Sequence, residues 1–202
     1  MQKNYIVYKV VAYLAKKLGS LVFGGKVINN HYIPKDEGCI LAGNHTSNYD
    51  AYLLFKSTNR PIHFLGKIEL FKGPMKLFFK IMHLIPVDRS KKNESAKETA
   101  MNVLKEEKVI GIFPEGTYHS PGKKTKDGDL LPFKGGAISF SLKTDAPIVP
   151  FAIVGKFKFR SNPLIIFGEP IYAKDIKEDD KVKYLEEKVK ELLNEVKSIK
   201  NK

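Results

Sequence analysis

The sequence predicts an α/β fold: one layered domain with a mixed, largely parallel central sheet flanked by helices, plus an N-terminal amphipathic helix. The main observation is that short apolar, β-rich runs alternate with segments of helical periodicity along the chain. A second is length, because 202 residues suffice for one domain with a sizeable core. A third is composition: 43% hydrophobic and 28% charged residues are typical of a globular protein and exclude a disordered chain.

Six β-rich runs predict the strands of the sheet. They cover residues 26–32, 38–42, 62–65, 109–113, 148–154 and 164–167. Four segments predict helices from their periodicity or their start signals. They cover residues 49–55, 74–84, 94–107 and 178–199. Asn93 is expected to cap the third of these helices. Because no linker separates further units, we expect the amphipathic helix in residues 1–25 and a single domain in residues 26–202.

The charge balance points to an anionic partner. A net charge of +13 and a pI near 9.6 fit nucleic acid, an anionic lipid surface or a phosphorylated substrate. The lysines are spread along the chain and no nucleic-acid motif is present, so we exclude nucleic acid. The single cysteine, Cys39, opens an apolar run and is expected to be buried in a strand. No Cys/His cluster has zinc-like spacing, so no metal site is expected.

The N-terminal segment combines lysines with one apolar stripe, and no acidic residue precedes Asp36. On a helix the stripe consists of Val7, Val11, Leu14, Leu18, Leu21 and Val22. Lysines interrupt the segment well short of the roughly 20 apolar residues that a spanning helix needs. We therefore expect a basic amphipathic helix that lies in the membrane interface. The alternative is a first helix docked on the core. For residues 71–82 three interpretations stay open: a second membrane contact, part of an acyl-chain tunnel, or a core helix.

A histidine and an aspartate with four residues between them follow the second predicted strand. His45 would lie in the loop at the strand end, where active sites of α/β folds collect. On one continuous helix the two side chains would point about 140° apart. If instead Asp50 begins the helix, its carboxylate reaches back, fixes the tautomer of the imidazole and makes it a general base. The simpler alternative is that Asp50 caps a helix and His45 is an ordinary loop residue.

A second, more specific string stands at the end of the predicted strand 109–113. It reads Phe-Pro-Glu-Gly-Thr, with Glu115 and Thr117 at the same sheet edge as His45. Proline ends a strand, and Gly116 permits backbone geometry that other residues resist. Taken alone, this string predicts no more than a turn between a strand and a loop.

Together these two strings resemble the glycerolipid acyltransferases of the lysophosphatidic acid acyltransferase type. The other blocks of the family follow in the right order, and the resemblance covers roughly residues 38–155. These blocks correspond to residues 66–70, 85–89, 133–137 and 147–153. The resemblance implies the glycerolipid acyltransferase fold and an acyl group transferase that moves a fatty acyl group to the sn-2 hydroxyl of lysophosphatidic acid.

By this resemblance, His45 is the general base and Asp50 orients it. Lys67 and Arg89 are candidates for binding the acceptor phosphate, a role suited to both side chains. Glu115, Gly116 and Thr117 are expected to bind and position the glycerol phosphate part. Alternatives stay open for two of them: Lys67 as a solvated lysine, and Arg89 as the partner of a neighbouring acid.

One departure concerns the residue after the Glu-Gly-Thr string. The family commonly has an arginine there that is implicated in acceptor phosphate binding, whereas this chain has Tyr118 and then His119. Lysines 123, 124 and 126 in the following loop are possible substitutes, although a lysine does not offer the bidentate geometry of arginine. The departure bears on the identity of the acceptor more than on the reaction.

The resemblance also implies the reaction partners. The acyl donor is acyl-CoA or acyl-carrier protein as a co-substrate, no resident cofactor is expected, and the oxyanion is expected to be stabilised by backbone N–H groups near Gly116. The phospholipid membrane surface and a lysophospholipid are the expected partners, with the enzyme peripheral on the cytoplasmic face of the cell membrane. Two alternatives remain: another acceptor, such as glycerol 3-phosphate or a different lysolipid, and a catalytically silent lipid-binding module.

Overall fold

The computed structural model describes residues 2–88, 93–117 and 130–200. Six α-helices lie within these ranges: α1 Gln2–Val22, α2 Asp50–Ser57, α3 Lys76–Ile81, α4 Glu94–Lys105, α5 Gly136–Thr144 and α6 Lys181–Lys200. The seven strands in the same ranges are β1 Lys26–Ile28, β2 Cys39–Gly43, β3 Ile62–Lys67, β4 Ile85–Val87, β5 Val109–Ile112, β6 Ile148–Val154 and β7 Leu164–Phe167. Short 3-10 turns cover Asn30–Tyr32 and Ile68–Phe71.

All seven strands form one sheet in the order β1-β7-β6-β2-β5-β3-β4. The five strands β6, β2, β5, β3 and β4 are parallel to one another, whereas β7 runs antiparallel to β6 and pairs in parallel with β1. The predicted mixed, largely parallel sheet is therefore confirmed. Because five strands share one direction, their carboxyl ends meet at one edge of the sheet.

Each face of the sheet has its own apolar core. On one face, side chains of β2, β5 and β6 pack against α4, α5 and α6. On the other face, the intervening side chains of the same strands pack against α2. The central strands are buried on both sides, which explains their continuous apolar runs. Cys39 is fully buried at the start of β2, as predicted.

Most predicted elements are present, with four differences. The first strand ends at Ile28, not at residue 32, because Asn29 adopts a left-handed conformation with φ of 58° and a 3-10 turn follows. The short edge strand β4 and helix α5 were not predicted as elements. Strand β4 has three residues including a proline, and α5 begins with Gly136 and contains two serines, so neither shows a clear period. Asn93 stands at the N-cap of α4, but its side chain donates to the carbonyl of Asp88 and makes no cap bond.

Helix α1 docks on α2 through a face that is not its apolar stripe. Gly19 lies against the ring of Tyr52, and the fully enclosed Tyr8 accepts a hydrogen bond from the backbone N–H of Ile62 at 2.9 Å. The apolar stripe points outward, and Leu18 and Leu21 are 64% and 67% exposed. Helix α1 is therefore docked on the core and also presents its apolar stripe to solvent. No helix in the described ranges is both long enough and apolar enough to cross a membrane.

Helix α3 lies at the surface beside α1. None of the residues of α3 is buried, and Met82 in the turn after it is the one buried residue of the range, so the core-helix alternative for residues 71–82 is wrong. Leu77 is 69% exposed and Phe78 is 40% exposed. Together α1 and α3 line an apolar groove of about 780 Å³, to which Phe78 and Met82 contribute from α3 and the turn after it. The exposed apolar side chains of both helices form one surface, which we call the α1–α3 surface.

Candidate active site

The predicted site residues follow the carboxyl ends of neighbouring parallel strands. His45 follows β2, Glu115 follows β5, and Lys67 is the last residue of β3. Because β2, β5 and β3 are adjacent in the sheet, these residues share one edge. Arg89 comes two residues after β4 in the sequence and lies outside the described residues.

His45 and Asp50 are in direct contact, as the hypothesis requires. The imidazole Nδ1 lies 2.7 Å from Oδ2 of Asp50. The contact forms because α2 begins at Asp50 while His45 is still in the loop. An ionised carboxylate only accepts hydrogen bonds, so Nδ1 carries a proton and donates it to Asp50. The other ring nitrogen, Nε2, is then the basic one.

Asp50 is held by the loop that it closes. Its side chain is fully buried, and besides His45 it accepts bonds from the Thr46 and Ser47 backbone N–H groups at 2.6 and 2.9 Å. The hydroxyl of Thr46 donates to the second oxygen at 2.8 Å. These donors compensate the desolvation of a buried charge, and they fix the carboxylate relative to the imidazole.

A ring contact and the attachment of the preceding residue fix the orientation of His45. Its ring is stacked on Phe113, with centroids 4.0 Å apart and an angle of 13° between the planes. The preceding residue, Asn44, is buried and binds both backbone groups of Ile153 on β6, donating to the carbonyl at 2.9 Å and accepting from the N–H at 2.7 Å. The imidazole therefore has little rotational freedom, and only 19% of its side chain is exposed.

The turn after β5 places Glu115 beneath the loop that carries His45. Glu115 is 4% exposed, and its Oε1 accepts the backbone N–H of His45 at 2.8 Å. Its Oε2 accepts the backbone N–H of Leu131 at 2.9 Å. Gly116 has φ of 73°, a conformation that favours glycine. The N–H of Gly116 donates to the carbonyl of Phe113 at 2.9 Å, so this N–H is not an oxyanion donor in the observed arrangement.

The other predicted binding residues differ in how they are placed. Lys67 is exposed at the end of β3, and Thr117 is half-buried next to the turn of Gly116. The departure at Tyr118 and His119 and the substitutes Lys123, Lys124 and Lys126 lie outside the described residues, together with Arg89. In the ranges that the structure describes, no cluster of His, Cys, Asp and Glu could hold a metal ion.

Three contributions to the site were not predicted from the sequence. They are the stacking of Phe113 on His45, the attachment of Asn44 to β6, and the bonds from Glu115 to backbone N–H groups. Phe113 and Glu115 belong to the string that drew attention to the turn, so their importance was signalled but their contacts were not. For Asn44 the sequence offered no signal of a structural role except that it directly precedes His45, because its hydrogen-bond partner is 109 residues away in the chain.

Comparison with known proteins identifies acyltransferases as similar to this chain. The family model described as Acyltransferase matches residues 25–154. A 1-acyl-sn-glycerol-3-phosphate acyltransferase of Bacillus subtilis (strain 168) is 34% identical over 176 residues, which cover 84% of each protein. A protein of the same name from Borreliella burgdorferi is 32% identical over 148 residues, covering 71% of this chain and 57% of that protein.

A solved structure supports the same assignment. The crystal structure of the 1-acyl-sn-glycerophosphate (LPA) acyltransferase PlsC from Thermotoga maritima superposes with a TM-score of 0.73 and 27% sequence identity. The match covers 94% of this chain and 81% of that chain. The fold of this chain is thus similar to that of the Thermotoga protein. The chain belongs to the acyltransferase family.

Proposed function

We propose that this protein transfers a fatty acyl group from acyl-CoA or acyl-carrier protein to the sn-2 hydroxyl of lysophosphatidic acid, giving phosphatidic acid for phospholipid synthesis. The observation that carries the proposal is the 2.7 Å contact between the imidazole of His45 and the buried carboxylate of Asp50. The names of the similar Bacillus and Thermotoga proteins support lysophosphatidic acid as the acceptor.

In this mechanism His45 is the general base. Its Nε2 takes the proton of the acceptor hydroxyl while that oxygen attacks the thioester carbonyl of the donor. The tetrahedral oxyanion then collapses, the carbon–sulfur bond breaks, and the imidazolium returns its proton to the departing thiolate. General-base assistance of this kind contributes roughly a hundred- to ten-thousandfold in rate. No covalent acyl-enzyme is formed, because the acceptor oxygen itself is the nucleophile.

Asp50 supports both protonation states of His45. It holds the tautomer with the proton on Nδ1, and its negative charge stabilises the imidazolium that forms during attack. The hydrogen bonds from the backbone N–H groups of Thr46 and Ser47 hold the carboxylate where the ring needs it. Asp50 therefore acts as an orienting partner and takes no proton itself.

The acceptor is proposed to lie along the edge between β5 and β3. Lys67 and Arg89 bind its phosphate, and the turn after β5 positions its glycerol part through Gly116 and Thr117. The exposed ammonium of Lys67 is at the end of a strand of this edge. Cationic side chains here match a phosphomonoester, which is doubly charged near neutral pH.

The α1–α3 surface is proposed to bind the cytoplasmic face of the cell membrane peripherally, with the groove between the two helices available to an acyl chain. Leu14, Leu18 and Leu21 of α1 and Leu77 of α3 are all more than half exposed. Lysines of both helices suit anionic headgroups, and each contributes about 1 kcal/mol near such a surface. An apolar face with flanking lysines is typical of interfacial helices.

Flotation with anionic vesicles tests this contact. Leu18→Glu is expected to reduce the vesicle-bound fraction strongly, because it places a charge in the apolar stripe. The matched control is Leu142→Glu, since Leu142 is a 49% exposed leucine on α5, which packs against the opposite face of the sheet. Equal binding by the two variants, or no binding by the unmodified protein, contradicts the membrane proposal.

The reaction is tested with purified protein, lysophosphatidic acid and a labelled acyl donor. Phosphatidic acid is the expected product, and His45→Gln is expected to be folded and inactive. Separate reactions offer acyl-CoA and acyl-carrier protein as donors, and glycerol 3-phosphate and other lysolipids as acceptors. Preference for another acceptor corrects the substrate but keeps the reaction. Lipid binding without consumption of thioester supports the silent binding module, and near-normal turnover by His45→Gln removes the proposed base.

A further inference from the structure

Glu115 is the one buried acidic side chain at this edge besides Asp50 in the described part of the chain. Its two carboxylate oxygens face the backbone: Oε1 accepts the N–H of His45 at 2.8 Å, and Oε2 accepts the N–H of Leu131 at 2.9 Å. A carboxylate with this orientation repels a phosphate and is itself nearly enclosed. These contacts suit a residue that shapes the site more than one that touches the acceptor.

The bond to His45 acts on the residue that carries the proposed base. The N–H of His45 is attached to the same Cα as the imidazole, so its direction constrains the backbone dihedrals that aim the ring. Asn44 fixes the preceding residue to β6, and Asp50 fixes the ring from the other side. Glu115 provides the third restraint and joins the loop to β5.

The bond to Leu131 acts on a different segment. Leu131 belongs to residues 130–135, which precede α5 and which we call the returning segment. The N–H of Lys134 donates to the carbonyl of Pro114 at 2.9 Å, next to Glu115, so the returning segment contacts this turn twice. One carboxylate thus connects the base loop after β2 with the segment that precedes α5.

Only an ionised glutamate meets both demands. The two N–H groups need two acceptors, and a glutamine of the same length has one oxygen and one NH2 group, which would face an N–H donor. An aspartate is one methylene shorter. The ammonium of Lys134 lies over Gly116, 2.9 Å from where a Cβ on that glycine would stand, so a positive charge is close to this turn.

We propose that Glu115 is a positioning residue, which holds the backbone of His45 and the segment at Leu131 in register and does not touch the acceptor. This inference rests on the proposed function, because it assigns a role to the loop that carries the proposed base. It distinguishes Glu115 from Lys67 and Arg89, which act on the substrate directly.

Steady-state kinetics of Glu115→Gln test the proposal. The expected result is a kcat lowered by about tenfold to a hundredfold, because small misplacement of a catalytic group has effects of this size. The KM for the acceptor stays within about threefold, since no contact with the acceptor is lost. A wild-type kcat with an acceptor KM raised about tenfold means that Glu115 binds the acceptor, and overturns the proposal.

Glu186→Gln is the matched control. Glu186 on α6 accepts the backbone N–H of Phe133 at 2.9 Å, so it makes the same kind of bond to the same returning segment without reaching His45. This variant is expected to keep kcat within about twofold. If both variants lose kcat equally, the effect comes from the returning segment alone, and the positioning of His45 is excluded.

Hydrogen exchange separates this proposal from the function itself and requires no active enzyme. In the unmodified protein the amides of His45 and Leu131 are expected to be protected, and Glu115→Gln is expected to remove protection from at least one of them, because it keeps only one of the two acceptors, while Glu186→Gln preserves both. An unprotected His45 amide in the unmodified protein overturns the inference, even if Glu115→Gln does not fold. If the amide behaves as expected but no phosphatidic acid is formed, the proposed function fails and the positioning role stands.

Discussion

Replacing Asp50 with asparagine removes one negative charge and leaves the shape of the site unchanged. The amide oxygen can keep the place of Oδ2 and still accept from His45 Nδ1, Thr46 and Ser47, while the NH2 group faces the Thr46 hydroxyl, which can reverse its role and accept. We therefore expect a folded protein with an intact His45 contact.

The loss in rate follows from the distance between the two groups. A 2.7 Å separation of Nδ1 and Oδ2 places the charge centres of imidazolium and carboxylate about 4 Å apart, where an effective dielectric of about 20 gives about 4 kcal/mol. The ring is 19% exposed, and solvent reduces this stabilisation to about 2–4 kcal/mol. The kcat of Asp50→Asn is thus expected to fall by about thirtyfold to a thousandfold.

The assay is release of labelled phosphatidic acid at saturating donor and acceptor, together with thermal unfolding of both proteins. The control is Asp145→Asn, the same chemical change at an exposed ion pair with Lys174, directly after the C-terminal end of α5. It should leave kcat unchanged. If Asp50→Asn is folded and keeps kcat within about threefold, the carboxylate does not stabilise a charged His45, and general-base catalysis by this pair is refuted.

Three further predictions concern stability. Asn44→Ala leaves two buried backbone groups of Ile153 without partners, so the free energy of unfolding should fall by about 2–4 kcal/mol in denaturant titration. Burial lowers the pKa of His63 to about 4. Between pH 6.5 and 4 the unfolded chain therefore binds one proton more than the folded protein does. The free energy of unfolding should fall by up to about 3 kcal/mol as the pH drops through this range. Gly19→Ala adds a Cβ 2.3 Å from the ring of Tyr52. This overpacking costs about 1–3 kcal/mol, whereas the higher helix propensity of alanine contributes about 1 kcal/mol, so the free energy of unfolding should stay the same or fall.

Matched variants check each of these. Asn59→Ala changes an exposed asparagine whose side chain accepts a bond of 3.4 Å from Lys16, and it should cost little. His63→Gln should reduce the dependence of stability on pH below 6.5, whereas the exposed His31→Gln should preserve it. Gly136→Ala should stabilise the protein, because a Cβ on Gly136 of α5 meets nothing within 4 Å. Stabilisation by Gly19→Ala, or a pH profile that is the same with and without His63, contradicts the corresponding argument.

Much of the fold follows from patterns in the sequence, because the strands β2, β5, β6 and β7 are buried on both faces. Such strands must be apolar along their whole length, and so the runs were found to within one or two residues. Strand β4 and helix α5 escaped because their formation depends on neighbours: β4 is a three-residue edge strand that pairs with β3.

The N-terminal helix illustrates a different limit. Its apolar stripe was read correctly, but a stripe does not tell which face meets the protein. The docking face of α1 uses Gly19 and Tyr8, a small and an amphipathic residue that hydropathy does not mark. Only the fold shows that the helix docks with one face and leaves its most apolar face outside.

In the candidate site, the contact of His45 with Asp50 was predictable because both residues lie in one short loop whose geometry is set locally. The contacts of Glu115 were not, because its partners His45 and Leu131 are distant in sequence and are backbone groups, which carry no residue-specific signal. Lys67 was placed at the correct edge, since any residue that ends a parallel strand arrives there.

The burial of Cys39 has a practical consequence for measurement. This side chain is fully enclosed in β2, and burial raises the pKa of its thiol to about 12, so the folded protein presents almost no reactive thiolate. A thiol-reactive chromophore can therefore monitor release of free coenzyme A during turnover without background from the enzyme. Because the chain has only one cysteine, each unfolded molecule reacts with one equivalent of the same reagent when no substrate is present, so the amount of product gives the amount of unfolded protein.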